Sequence, residues 1–490
     1  MEIAKFLSLQ NLDLYWQVSI AQSTLIALLE KSFHVFASKI QGWTNTTAIA
    51  SFLEKVSFYL TILLFAVIPL PQFAKEKEGL AGILIIAFLF WFSGIILGNK
   101  YRRSPTAIDA LVVLFFAVNI IATCASHYFS YSMHGLLKLS VYILAYFLFS
   151  AQLANNQKRQ IILIGTLLLT GTFVSIYGLY QYHIGVAPLA TWEDPNIENQ
   201  ATRIYATFNN PNLLAGYLLP LIMLSVSISL TAAAKRKMFL SLITLFITSL
   251  LTTALILTGS RGAYIGLAAC LLILLVTAGI IAWRQSKGKK RLLIFTVVLI
   301  AITAFVLHKL PGFEQRIISI FVGREHSSNS FRLNVWHSCF SMFKDNWLIG
   351  IGVGNQAFRL AYGLYMRSGF DALAAYSVPL EIAVEGGIFA LLSFAMIIIS
   401  TLSRAHLSFW NNAQTLLTPT KSSSGLFALD PTSMEIAIIA GAALALMALC
   451  FHGLVDTVFF RPQIQFIFFL LLAILTSTGN NKDSSLPANR

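Results

Sequence analysis

Three arginines stand at positions where a guanidinium group could bind an anion. Arg203 precedes an asparagine-rich run, Arg261 lies in the short Gly-Ser-Arg-Gly turn at 259–262, and Arg332 lies in a long segment rich in aromatic residues. A guanidinium is a planar fork that pairs with carboxylate or phosphate oxygens. Arginine recurs where lysine would suffice for solubility, which slightly favours anion binding over a solvated surface. For Arg261, snorkelling to lipid phosphates is an equally good explanation.

The run Asn209–Asn212 follows Arg203 and includes Pro211. Asparagine before a helix and proline in its first turn are typical helix-start signals, so capping alone explains these amides. The same amides could instead line a polar pocket. Capping does not explain Arg203.

Two acidic pairs lie near the ends of apolar segments. Glu381 and Glu385 are four residues apart and therefore share a helix face, and buried carboxylates in a membrane usually have a partner. One of the three arginines is the expected partner. Asp456 follows His452 at the same spacing, and a structural ion pair with Arg461 is the favoured interpretation there.

The composition excludes a soluble enzyme. Of 490 residues, 57% are hydrophobic and only 11% are charged, whereas a soluble domain carries about 25% charged residues. The net charge of +14 does not indicate a nucleic-acid partner, because long apolar runs separate the basic residues. The four cysteines have no paired spacing and are typical of buried hydrophobic residues. The sequence predicts neither a metal site nor a cofactor.

The apolar runs predict an all-α polytopic membrane protein, since a spanning helix needs about 20 apolar residues. Twelve transmembrane helices are predicted, with a large extracytoplasmic loop between the ninth and the tenth. Their ranges are 56–72, 79–98, 106–124, 134–153, 160–181, 211–232, 238–258, 262–283, 292–308, 379–402, 433–455 and 459–477.

Basic residues predict the orientation. Thirteen basic and no acidic residues occupy four alternate short loops, at 99–105, 154–159, 233–237 and 284–291. Cytoplasmic loops are enriched in lysine and arginine, so both termini are predicted to be cytoplasmic. The plasma (inner) membrane is the expected location, with a thylakoid membrane as the alternative.

The predicted organisation has one membrane domain with two flanking regions. Residues 13–40 have apolar positions at helical spacing, which favours an interfacial helix over one packed in the bundle. The predicted parts are a cytoplasmic N-terminal region (1–55), the membrane domain (56–477) with its outer loop (309–378) and cytoplasmic linker (403–432), and a disordered tail (478–490).

Three motifs together resemble the O-antigen ligase-related (Wzy-C) superfamily. They are Arg203 followed by Phe-Asn-Asn-Pro-Asn, Thr-Gly-Ser-Arg-Gly-Ala from Thr258, and Asn-Trp-Leu-Ile-Gly-Ile-Gly-Val-Gly-Asn from Asn346, the last preceded by Arg332. The resemblance implies a ligase or polymerase of lipid-linked glycans. It also implies that Arg203 and Arg261 hold the diphosphate of an undecaprenyl donor, with a histidine at the end of the large loop as base.

The histidine position of that pattern is Tyr376 here. Tyrosine ionises near pH 10 and is a poor base at neutral pH, so a ligase would need Tyr376 or Glu381 in that role. Residues 375–385 and the N-terminal region resemble a cyanobacterial IctB-type branch. That resemblance implies bicarbonate transport or another part in inorganic carbon accumulation.

Three functions therefore follow from the sequence. The first is inorganic carbon accumulation, with bicarbonate or another small anion bound by the arginines. The alternative is a glycosyltransferase that uses an undecaprenyl-diphosphate-linked glycan. The third is a non-catalytic membrane protein that associates with a membrane complex. All three have membrane lipids as partners.

Overall fold

The computed structural model describes most of the chain, in nine stretches of sequence. The described residues are 1–23, 46–70, 78–98, 103–186, 203–283, 297, 301, 327–413 and 429–477. The α-helices are α1 (Glu2–Leu7), α2 (Gln10–Gln22), α3 (Thr46–Val67), α4 (Glu78–Gly98), α5 (Ala107–Cys124), α6 (Phe129–Leu153), α7 (Gln157–Ile184), α8 (Pro211–Ala234), α9 (Met238–Leu257), α10 (Arg261–Trp283), α11 (Ser327–Asp345), α12 (Asn355–Tyr362), α13 (Val378–Ala413), α14 (Pro431–Gly453) and α15 (Pro462–Ser477).

The helices confirm an all-α polytopic membrane protein. Within the described ranges, 10 helices are long and apolar enough to cross a bilayer, namely α3 to α10, α13 and α14. The predicted twelfth span corresponds to α15, a shorter apolar helix that follows a 3-10 turn at Val458–Phe460. Of the predicted ninth span (292–308) only residues 297 and 301 are described, and the tail (478–490) lies outside the described residues.

Two predicted boundaries differ from the structure. Helix α3 begins at Thr46 rather than at 56, so the expected end of the N-terminal region falls inside a helix. Helix α13 continues to Ala413, through the first part of the expected linker at 403–432. Arg404 lies in this extension, where its side chain is buried and pairs with Asp13.

Helix α8 lies at the centre of the bundle. Almost every residue from Pro211 to Ala232 is buried, which is the pattern of a helix that other helices surround. It packs closely on α14, where a Cβ added to Gly441 would lie 3.0 Å from the Cα of Leu224. The start of α8 lies beside the end of α14, since a Cβ added to Gly216 would lie 3.5 Å from the His452 Cε1.

The N-terminal helices pack against the membrane domain. Arg404 of α13 pairs with Asp13 of α2 at 2.6 Å and donates from Nε to the Ser8 carbonyl oxygen at 2.8 Å. Tyr15 and Trp16 on α2 remain exposed, and residues 24–40 of the predicted interfacial helix lie outside the described chain. The buried ion pair anchors this region to α13; its place at the membrane interface stays a prediction.

Helix α13 is broken at Gly387, where φ is 71° and ψ is −170°. The residues on either side of the break pair with residues 347–352 of the segment 309–378, which is called the outer loop after its predicted location. Ile351 and Gly352 donate their backbone N–H groups to the carbonyls of Val384 and Glu385, at 3.0 and 2.9 Å. Ile388 donates to the Trp347 carbonyl at 2.8 Å. The loop thus satisfies backbone groups that the broken helix leaves without a partner.

The outer loop contributes two helices in its described part. Helix α11 packs against α13, and Val335, Cys339 and Met342 of α11 form a small core with Phe358 and Tyr362 of α12. Arg332 lies near the start of the same helix α11 and contacts Asp456, which follows the end of α14.

Candidate functional site

Arg203 bridges two membrane helices at their ends. Its Nε donates to the Thr258 carbonyl at 2.7 Å, and its Nη2 donates to the Asn212 Oδ1 at 2.8 Å. The backbone beside it is tied to the same turn, since Ile204 donates its N–H to the Leu257 carbonyl at 3.1 Å. The guanidinium is therefore fixed in orientation between the start of α8 and the end of α9.

Asn212 has a role that capping does not account for. The cap of α8 is Asn210, whose Oδ1 accepts from the backbone N–H groups of Asn212 and Leu213. The Asn212 side chain instead accepts from Arg203 and donates to the Asp456 Oδ2 at 3.0 Å. Sequence reasoning missed this bridge, because a helix-start motif explains every asparagine in the run.

Asp456 joins the third arginine to this group. Its Oδ2 lies 3.5 Å from the Arg332 Nη2, and its Oδ1 accepts from the backbone N–H of Val458 at 3.0 Å. The Asp456 side chain is 8% exposed and that of Arg332 is 19% exposed. The expected ion pair with Arg461 is therefore wrong: Arg332 reaches Asp456 from the outer loop. Arg203, Asn212, Asp456 and Arg332 are called the arginine network below.

Arg261 begins α10 directly beside the arginine network. It stands three residues after Thr258, whose carbonyl accepts from Arg203. The turn is held rigid, since the Thr258 hydroxyl donates to the Leu255 carbonyl at 2.6 Å and the Tyr264 hydroxyl donates to the Ile256 carbonyl at 2.5 Å. The structure thus joins Arg203 and Arg332 through Asn212 and Asp456, and Arg261 follows three residues after Thr258, which Arg203 contacts.

The two glutamates of α13 lie close to the site, but their contacts differ from those expected. Glu381 accepts from the Ala375 backbone N–H at 2.9 Å and interacts electrostatically with Arg461, rather than pairing with one of the three arginines. Glu385 lies one turn further along α13, where its backbone carbonyl accepts from Gly352. Glu381 and Glu385 are 3% and 6% exposed. Glu381 therefore fixes the backbone that precedes Tyr376.

Tyr376 occupies the turn before α13 in a left-handed backbone conformation, with φ of 53°. This conformation is uncommon for a bulky side chain and often marks a functional site. Its ring packs edge-on against Phe331, with 5.6 Å between centroids. Burial raises the pKa of the Tyr376 phenol, and the charge of Asp456 adds to that shift while Arg332 opposes it. The phenol therefore keeps its proton at neutral pH, which argues against a role as general base.

Tyr376→Phe is expected to change the activity of the protein less than about threefold, because the hydroxyl keeps its proton over the physiological range. The steady-state rate of wild type and variant, measured from pH 6 to 9, checks this. Parallel profiles are expected, since a pKa raised above about 10 adds no ionisation in that range. If the wild-type rate changed at high pH and the rate of the variant did not, the Tyr376 hydroxyl would ionise in this range, and its protonated state would be contradicted.

A cavity of about 590 Å³ lies at the opposite ends of the helices. Its lining is mostly apolar. Thr231 of α8, Ile281 of α10 and His406 of α13 are among the lining residues. None of the three arginines lines it. The arginine network and this cavity are thus separate features, at opposite ends of the same bundle.

The comparison with protein families agrees with this geometry. The O-antigen ligase (Wzy_C) family model matches residues 245–395, which include Arg261, Arg332 and Tyr376. A comparison with curated proteins finds no match. The apolar helices define a multi-pass membrane protein, and one part of it, residues 245–395, is similar to the O-antigen ligase family. Arg203 and Asp456 lie outside the matched residues, and the arginine network joins them to Arg332, which lies inside.

Proposed function

We propose that this protein transfers a glycan from a polyprenyl-diphosphate donor to an acceptor, on the outer side of the membrane. The arginine network carries the proposal. It joins Arg203 before α8, Arg332 on α11 and Asp456 after α14, and Arg261 begins α10 beside it. Three distant parts of the chain thus contribute cationic groups to one region and a fourth contributes Asp456, and each guanidinium group can bind two phosphate oxygens.

The location of these groups favours a lipid donor. All of them lie at helix ends, where the diphosphate of a membrane-embedded polyprenyl chain would be held at headgroup level. Asp456 offsets only part of the positive charge, so the site matches a ligand with more than one negative charge. The family match supports the same substrate class, since it covers an O-antigen ligase segment.

The proposed reaction is a substitution at the anomeric carbon of the glycan. The acceptor hydroxyl oxygen forms the new bond to that carbon, and the bond between the carbon and the diphosphate oxygen breaks. The hydroxyl proton passes to a base or to water, and the polyprenyl diphosphate leaves with the bonding electron pair. Fixed guanidinium groups stabilise the charge that develops on the leaving diphosphate.

Purified protein in nanodiscs provides the test. With an undecaprenyl-diphosphate-linked oligosaccharide and a glycan or lipid acceptor, we expect transfer that Arg261→Ala abolishes and Arg359→Ala leaves unchanged. Arg359 is a fitting control because it is exposed on α12. In cells, deletion is expected to cause the lipid-linked precursor to accumulate.

An unchanged glycan profile in the deletion strain would argue against the proposal. Bicarbonate transport remains a prediction from the branch resemblance, and the family match lends it no support. Saturable bicarbonate uptake into proteoliposomes, abolished by Arg261→Ala, would favour transport instead. Inactivity in both assays, with stable co-purification of a membrane complex, would favour the non-catalytic interpretation.

A further inference from the structure

We propose that His452 is a further ligand of the donor diphosphate, and that it donates a hydrogen bond from Nε2 at the start of α10. This inference rests on the proposed function and adds a binding residue from α14. The imidazole is not one of the four residues of the arginine network, and the proposed transfer reaction assigns it no role.

The His452 imidazole is buried with one nitrogen unsatisfied. The residue is 1% exposed, and its Nε2 has no hydrogen-bond partner among the described residues. Buried polar atoms are nearly always paired, because an unpaired one loses its hydration without compensation. An unpaired nitrogen beside a cluster of cationic groups indicates a partner that binds there.

Glycines allow the imidazole to reach the start of α10. A Cβ added to Gly262 would lie 2.8 Å from the His452 Cδ2 and 3.3 Å from its Nε2, and one added to Gly216 would lie 3.5 Å from its Cε1. The edge of the ring that bears Nε2 therefore faces the first turn of α10. Any larger residue at 262 would push it away.

The start of α10 is itself suited to an anion. The first amides of an α-helix have no carbonyl partner within the helix, and the helix dipole adds positive potential there. Such termini commonly bind phosphate groups. Here the helix is 23 residues long and begins with Arg261, and the unpartnered His452 nitrogen faces the next residue.

His452 is also joined to the arginine network through its own helix. It lies one turn before Asp456 and interacts electrostatically with Asp456 and Arg332. Asp456 in turn contacts Asn212 and Arg332. One end of α14 thus positions both the residue that holds the network together and the imidazole, so the two act on the same ligand.

Binding of farnesyl diphosphate to the purified full-length protein tests the inference. His452→Phe keeps a ring but removes the hydrogen-bond donor. We expect it to raise the dissociation constant about tenfold or more, the usual scale for a hydrogen bond to a charged group. His452→Gln retains an N–H donor and should stay within about threefold of wild type. His406→Phe, on α13 at the opposite ends of the helices, is the matched control and should bind as wild type does.

Gly262→Ala gives a second, independent measurement, since its methyl group would displace the imidazole. We expect weaker binding in the wild-type background and no further loss in His452→Phe, because the two changes remove the same contact. Full additivity would overturn the inference. Binding to Gly262→Ala alone can be measured even if His452→Phe reduces stability.

The outcomes separate the two proposals. If Arg203→Ala and Arg261→Ala weaken binding while His452→Phe does not, the inference is wrong and the proposed function stands. If none of the three weakens binding, the diphosphate site itself is wrong. Unchanged binding with a transfer rate reduced more than about 100-fold would make His452 a proton acceptor and overturn its role as a ligand.

Discussion

Arg203→Lys is expected to lower glycan transfer almost as much as Arg203→Ala, by about 100-fold or more. The guanidinium donates through two different nitrogens to Thr258 and Asn212. A lysine ammonium is a point charge on a flexible stem and cannot reproduce that fork. The charge would remain, but its orientation and the link to Asp456 through Asn212 would be lost. Initial rates of transfer from the lipid-linked donor in nanodiscs measure this effect.

Arg359→Lys is the matched control, because it makes the same exchange on the exposed face of α12. It should leave the rate unchanged. An Arg203→Lys variant with at least half of the wild-type rate would show that position 203 supplies charge alone, and the geometric argument would fail.

Gly352→Ala is expected to destabilise the folded protein by about 3 kcal/mol or more, or to prevent its accumulation. The backbone at Gly352 has φ of 101°, and an added Cβ would overlap the hydroxyl oxygens of Ser126 and Ser132. The loop would have to withdraw from α5 and α6, which would also break its pairing with Glu385. Thermal unfolding of purified protein, followed by intrinsic fluorescence, measures the loss.

Gly369→Ala separates backbone strain from steric overlap. Gly369 has φ of 83°, but an added Cβ would meet no atom within 4 Å. Its substitution should cost only about 1 to 2 kcal/mol. Equal losses in the two variants would show that close packing at Gly352 contributes little.

The sequence was sufficient for the membrane helices, because length and hydropathy alone decide whether a segment can span a bilayer. Helices α4 to α10 begin and end close to their predicted bounds. The start of α3 at position 46 was not predicted, because its first turns contain polar residues and hydropathy alone does not include them in a span. The break at Gly387 could not be foreseen, since it depends on hydrogen bonds with a loop that lies more than thirty residues earlier in the sequence.

The site was foreseen in part for a similar reason. Arginine at membrane edges is costly enough to be noticed, so Arg203, Arg261 and Arg332 could be selected individually. Their connection through Asn212 and Asp456 depends on which helix ends meet, and that is a property of packing. Asp456 was assigned to Arg461 because that residue is close in sequence, whereas Arg332 is closer in space. His452 lacked a signal, since a lone histidine in an apolar helix is usually structural.

The pairing of the outer loop with early helices also constrains the order of biogenesis. The Ser126 hydroxyl donates to the Ile351 carbonyl at 2.5 Å, across 225 residues of chain. Residues 384–388, which complete this arrangement, are synthesised later still. While the ribosome adds the intervening spans, the segment between α5 and α6 lacks its contact with Ile351. A nascent chain truncated before residue 388 should therefore expose the loop to added protease, and release of the whole α13 should protect it.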